Sequence, residues 1–260
     1  MRVVAVVFAG GTVALALGVP AGTWLGDRAG WRASFLATAG LGAVVLVVVA
    51  ALLPSTRPED GHAARGATPD ARRFWPLVAT AGAIAAYTYV ALFVTEVSGF
   101  SASSVGAILF VRGIASVLGI LAIGVLLDRS PWLALLTTVA LQSAALLGLH
   151  MFGERPSVSV GLIALAGLAF AAFTATLGGL VLQVAPGRSD LAAAAVSAAV
   201  NVGITAGAFV GGLALPTHGV RATVLIGALL GIAALVLALG ERLIRPAPGP
   251  QRRLTAATTR

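Results

Sequence analysis

The chain has 260 residues, of which 58% are hydrophobic and only 10% charged, with a mean hydropathy of +1.00; soluble domains carry about a quarter charged residues, so a soluble fold is excluded and an integral membrane protein is predicted. All 17 basic residues are arginine and the net charge is +8, but they form no stripe interleaved with aromatics, so nucleic acid is excluded as a partner and the arginines are assigned to loops that set topology. With no cysteine there is no disulfide, thiolate metal site or thiol nucleophile, and neither cofactor nor metal is expected.

A span needs about 20 apolar residues to cross roughly 30 Å of hydrocarbon. Eight segments qualify, at 3–25, 33–53, 75–96, 104–127, 132–151, 157–183, 191–214 and 221–240. They are continuous apolar runs rather than short alternating ones, which predicts helices and not a barrel. The fold class is therefore all-α and polytopic, with eight transmembrane helices.

In the first span, Gly11, Ala14, Gly18 and Gly22 recur at steps of three and four, forming a small-residue face against which another backbone can pack closely. Pro20 removes a backbone hydrogen bond there and permits a bend. The run follows Arg2 as a signal peptide would, but its Gly18/Gly22 pattern recurs at Gly207/Gly211, so it is read as a transmembrane helix. An offset of 189 residues lays Gly18 on Gly207, Gly22 on Gly211, Gly30 on Gly219, Arg32 on Arg221 and Ala33 on Ala222. Both copies run from one span through a short loop into another, which is an internal repeat.

Residues 54–73 hold three Pro, two Gly and seven charged residues and are read as a linker. Tyr87 and Tyr89 in the third span, with Phe170 and Phe173 in the sixth, are candidates for packing or for contact with an apolar substrate. Arg112 is the only ionisable residue deep in a span, roughly 12 Å from the helix end at 1.5 Å per residue, and its cost in lipid makes a cavity-facing role the default expectation. Ser116 and Gly119 extend a small, polar face from it. Gln142 in the fifth span is either a packing residue or a cavity residue. In the seventh span Ser197, Asn201 and Thr205 form a polar stripe that serves interhelical hydrogen bonding or substrate contact. The tail, 242–260, is rich in Pro and Arg and is predicted to be disordered.

Orientation follows from the arginines. With the first span running outward, Arg2, Arg57, Arg65, Arg72, Arg73, Arg129, Arg188, Arg242, Arg245, Arg252, Arg253 and Arg260 lie inside, whereas only Arg28, Arg32, Arg155 and Arg221 lie outside. Both termini are therefore predicted to be cytoplasmic, in the cell inner membrane.

The segment Gly18-x-Pro20-x-Gly22 followed by Gly26-Asp27-Arg28-x-Gly30-Trp31-Arg32 resembles the fifth-helix antiporter motif of the major facilitator superfamily, in particular its bacterial drug and arabinose-type efflux branch of proton antiporters. Residues 87–100 are similar to that branch's seventh helix and outer loop, Gly124 to Arg129 to a degraded cytoplasmic loop motif, and Gln183-Val-Ala-Pro186 with Asn201 to Gly212 to its tenth and eleventh helices. The resemblance implies helices five to twelve of a 6+6 fold. Residues 1–53 would then be the last two helices of the N-terminal bundle, 54–73 a cytoplasmic linker and 74–241 a six-helix C-terminal bundle. It also implies a secondary transporter that exports small amphipathic molecules or drugs in exchange for protons, with Gly11, Gly18, Pro20, Gly22, Gly207 and Gly211 as its antiporter-motif packing. Arg112, Ser116, Tyr87, Gln142, Phe173, Asn201 and Thr205 are the candidate cavity residues.

Two other readings compete. An intramembrane enzyme would need a nucleophile with its base, or metal ligands, at one depth, and the spans hold no such motif. A non-transporting fragment of such a transporter is the second. Its motivation is that the resemblance leaves the first four helices of that fold unmatched; separately, Asp27, Glu59, Asp60, Asp70, Glu96, Asp128, Glu154, Asp190 and Glu241 all fall in loops or at span ends, so the proton-coupling acid is expected in those four helices.

Overall fold

The computed structural model describes residue 18 and residues 21–52, 75–184 and 189–244, and every regular element among them is helical. A short helix α1 (21–29) leads into α2 (Trp31–Leu52); then follow α3 (Trp75–Tyr87), α4 (Val90–Glu96), a 3-10 turn (Ala102–Ser104), α5 (Val105–Arg129), α6 (Pro131–Phe152), α7 (Pro156–Val184), α8 (Ser189–His218) and α9 (Val220–Ile244). The turns are tight where local chemistry stops one helix and starts the next. Ser130 caps α6 by accepting from the Leu133 amide at 3.3 Å, and Pro131 takes the first helical position, where its missing N–H is no loss. Gly30 and Gly219 adopt φ of +80° and +72°, a region that glycine enters without strain.

α3 lies between α8 and α9, and the packing continues from α9 to α6, from α6 to α7 and from α7 to α5. Glycines set the close approaches. A side chain at Gly203 would meet the Leu77 carbonyl, one at Gly207 the Ala81 carbonyl, and one at Gly211 the Tyr89 ring and the Ala85 carbonyl. Residues four apart on α8 therefore run along residues four apart on α3. Gly82 and Gly227 bring α3 and α9 together in the same way, each backed by the other's carbonyl. Such backbone proximity lets van der Waals packing hold helices where the hydrophobic effect gives no preference for protein over lipid.

One end of this bundle is fastened by polar groups. Buried Ser98 donates to the Gly153 carbonyl at 2.8 Å and shares a 2.7 Å hydrogen bond with buried Ser159. Beside them Arg221 pairs with Glu154 at 2.7 Å and donates to the His150 carbonyl at 3.1 Å. The turns after α4, α6 and α8 therefore lie together, as alternating helix directions require.

One expectation is modified, and others fall partly outside the described residues. Among the described residues six continuous helices are long and apolar enough to cross a membrane, or seven where the bent pair α3–α4 counts as one span; the expected first span, 3–25, lies mostly outside the described residues. The expected single span 75–96 is broken, with α4 turned 41° from α3. At the break Thr88 donates its hydroxyl back to the Ile84 carbonyl at 2.9 Å, while Tyr89 leaves helical geometry at φ −108°, ψ 14°. Competition of this kind for backbone groups is a recognised cause of helix bending. The linker 54–73 and the tail beyond residue 244 lie outside the described residues. Helix α2 buries no residue, and its tie to α1 is the Ser34 hydroxyl donating to the Gly22 carbonyl at 2.9 Å.

Candidate functional site

The bend after α3 puts Tyr87, the last residue before the break, opposite Arg112 of α5. The Arg112 guanidinium carbon lies 3.9 Å from the centre of the Tyr87 ring, a cation–π contact worth about 2 kcal/mol or more when shielded from water. Room for the arginine stem comes from α7, where Gly167 has no side chain and a Cβ would come 2.5 Å from Arg112 Cγ. One turn along α5, Ser116 is buried and donates to the Arg112 carbonyl at 3.0 Å. It sits on the α5–α7 seam beside Gly167, so its hydroxyl is engaged with its own helix.

Tyr87 and Arg112 stand on a narrow cavity inside the bundle, whose wall also includes Ala83, Phe93, Ala166 and Gln142. Gln142 is 7% exposed, and its carbonyl oxygen Oε1 has no hydrogen-bond partner among the described residues. An acceptor buried without a donor costs about 1–3 kcal/mol, so Gln142 is a polar deficit of this wall. Gln142 and Ala83 also line a second, smaller cavity together with Phe170 and Phe173. Phe173 itself is a core residue, 3% exposed, with its ring 6.5 Å from that of Phe170.

Of the residues singled out from the sequence, the structure thus brings Tyr87, Arg112 and Gln142 to one cavity and Phe173 to its neighbour. Asn201 and Thr205 are placed elsewhere. Both are exposed on α8, where Asn201 donates to the Ser197 carbonyl at 2.8 Å and Thr205 to the Asn201 carbonyl at 3.1 Å. Gly207 and Gly211 form the α8–α3 seam, whereas nothing lies within 4 Å of a Cβ built on Gly18 or Gly22. Gly11 and Pro20 lie outside the described residues. Sequence reading missed Gly203 as a seam residue, Gly167 as the gap that admits Arg112, and the Ser98–Gly153–Ser159 fastening. The first has a visible signal, since Gly203, Gly207 and Gly211 repeat every four residues; the other two depend on contacts between distant helices. Among the described residues no group of acids and histidines could hold a metal ion.

The family model of the Major Facilitator Superfamily matches residues 1–153 and again 74–259. The chain is 26% identical over 234 residues to a probable sugar efflux transporter of Mannheimia succiniciproducens, covering 87% of this chain and 59% of that one. It is 31% identical over 256 residues to an uncharacterized MFS-type transporter, YtbD, of Bacillus subtilis, covering 93% and 64%. It is also 28% identical over 250 residues to the purine ribonucleoside efflux pump NepI of Salmonella typhimurium, covering 93% and 63%. The chain therefore spans about three-fifths of the length of these relatives.

Proposed function

Because the chain belongs to the major facilitator superfamily, we propose that it serves secondary efflux of a small amphipathic molecule by alternating access, with the Tyr87–Arg112–Gln142 cavity as the cargo site of the bundle 74–241. The observation that carries this reading is a membrane-depth arginine laid on an aromatic face, in a cavity that also holds an unpartnered amide oxygen. Intramembrane charges of this kind are costly and mark transport pathways by default. The names of the relatives, a probable sugar efflux transporter and a purine ribonucleoside efflux pump, support cargo with a ring that can meet the cavity's apolar wall and polar edges that can meet Arg112 and Gln142. Drugs of similar amphipathic character fit the same chemistry. The arginine distribution supports an inner-membrane orientation with both termini cytoplasmic, which puts the Ser98–Glu154–Arg221 end outside.

Proton exchange is the proposed energy source, as in the efflux branch that the sequence resembles. The acids with described side chains do not supply its carrier: Asp27, Glu96, Asp128 and Glu154 are all exposed at helix ends. The reading is tested by reconstituting the 260-residue chain in liposomes loaded with a labelled hexose or a labelled purine ribonucleoside. One of the two is expected to leave faster than from loaded liposomes without protein, with Arg112→Ala lowering the rate at least about tenfold, as loss of a charged contact should. An imposed pH gradient is expected to add nothing. Acceleration by the gradient would place the coupling group in this chain, with Glu96→Gln the first variant to make, and flux that ignores Arg112→Ala would remove the cavity from the pathway.

A further inference from the structure

The charge on Arg112 is unanswered. Among the described residues its guanidinium meets the Tyr87 face and no carboxylate or hydrogen-bond acceptor, and the acids with described side chains, Asp27, Glu96, Asp128 and Glu154, stand exposed at helix ends. On the same cavity wall, the Gln142 oxygen is buried without a donor. A cation at membrane depth and a buried acceptor both raise the free energy of the empty site. The two deficits are complementary, since one calls for an anion and the other for an O–H or N–H on the same wall.

We infer that this cavity takes a small hydroxy acid in preference to neutral cargo, its carboxylate on the Arg112 guanidinium and a neighbouring hydroxyl donating to Gln142 Oε1. The inference rests on the proposed reading of this cavity as the cargo site. A carboxylate matches the planar guanidinium through two parallel hydrogen bonds, a geometry that a neutral polyol does not reproduce. A polyol would also leave the cation uncompensated. Selectivity for the acid over its neutral counterpart is therefore built into the wall, as it is wherever a site's buried polar groups go unpaired with the wrong ligand.

The test is equilibrium dialysis of the full 260-residue chain in detergent against labelled D-gluconate and labelled D-glucitol, which differ in the carboxylate. Gluconate is expected to bind at least about tenfold tighter, the range of one charge-assisted contact. Arg112→Gln should reduce gluconate to the glucitol level and Arg112→Lys should restore part of the preference. Gln142→Leu should weaken gluconate severalfold while the melting temperature stays the same or rises, since the unpaired acceptor is removed. Equal binding of the two probes, or a preference that survives Arg112→Gln, overturns the hydroxy-acid inference and leaves the efflux reading standing. Binding of neither probe overturns it as well. The liposome flux then decides whether the cavity still carries a neutral cargo or whether the efflux reading falls with it.

Discussion

A single arginine on α5 organises the functional reading, and the residues around it show how a polar site is built from packing. Arg112 can lie on Tyr87 because Gly167 yields space on α7 and because the α3 break ends the helix at Tyr87. The same principle, with backbone in place of a side chain, governs the α8–α3 seam. A Cβ at Gly207 would press on the Ala81 carbonyl, and that backbone cannot rotate away. Gly207→Ala should therefore cost about 1–3 kcal/mol, the usual penalty of overpacking, whereas Gly22→Ala, with nothing within 4 Å, should be nearly neutral in this chain. Thermal melting in detergent checks this, and equal melting of the two variants would mean that the seam does not hold α8 to α3. At this scale Arg112 was legible because a charge inside an apolar run is anomalous by itself. Its ring partner and its gap were not, because both are set by helices far away in sequence.

Whole helices were easier to read than their faces. The long apolar runs foretold α5, α6, α7 and α9 to within a few residues of their ends, since length and hydropathy are local properties. The polar stripe Ser197–Asn201–Thr205 was equally visible as a periodicity, but periodicity says which residues share a face and not what that face meets. Here Asn201 and Thr205 are exposed and satisfied by their own helix. The break at Thr88 was hidden for a different reason, because it contains neither proline nor glycine and arises from a hydroxyl bonding back one turn. Orientation belongs to this scale too, as it is decided by the connections. In the naturally cysteine-free chain, a cysteine at Ser130, between α5 and α6, should react with an impermeant thiol reagent only from inside. One at Ser157, at the start of α7, should react only from outside; the reverse pattern would invert the proposed topology.

For the molecule as a whole, the internal repeat links the two regions that the sequence sets 189 residues apart. Its turn is the same in both copies: Gly30 and Gly219 each take positive φ, and their carbonyls accept from the amides of Ala33 and Ala222 at 3.0 and 3.2 Å. The environments differ, since α2 buries no residue and α9 is packed on α3 and α6. On the proposed alternating-access reading this bundle sits in lipid around a cavity that opens to water in turn, which inverts the usual relation between exposure and reactivity. Ala83 is 5% exposed but borders both cavities, while Leu121 is 71% exposed on the outer surface of α5. The most direct measurement is the rate at which a water-soluble methanethiosulfonate labels Ala83→Cys and Leu121→Cys in liposomes, because the reactive thiolate forms only where water reaches it. Labelling of position 83 with position 121 inert is the predicted result. Rapid labelling of position 121 with position 83 silent would contradict it, leaving neither a membrane-facing α5 nor a wet cavity.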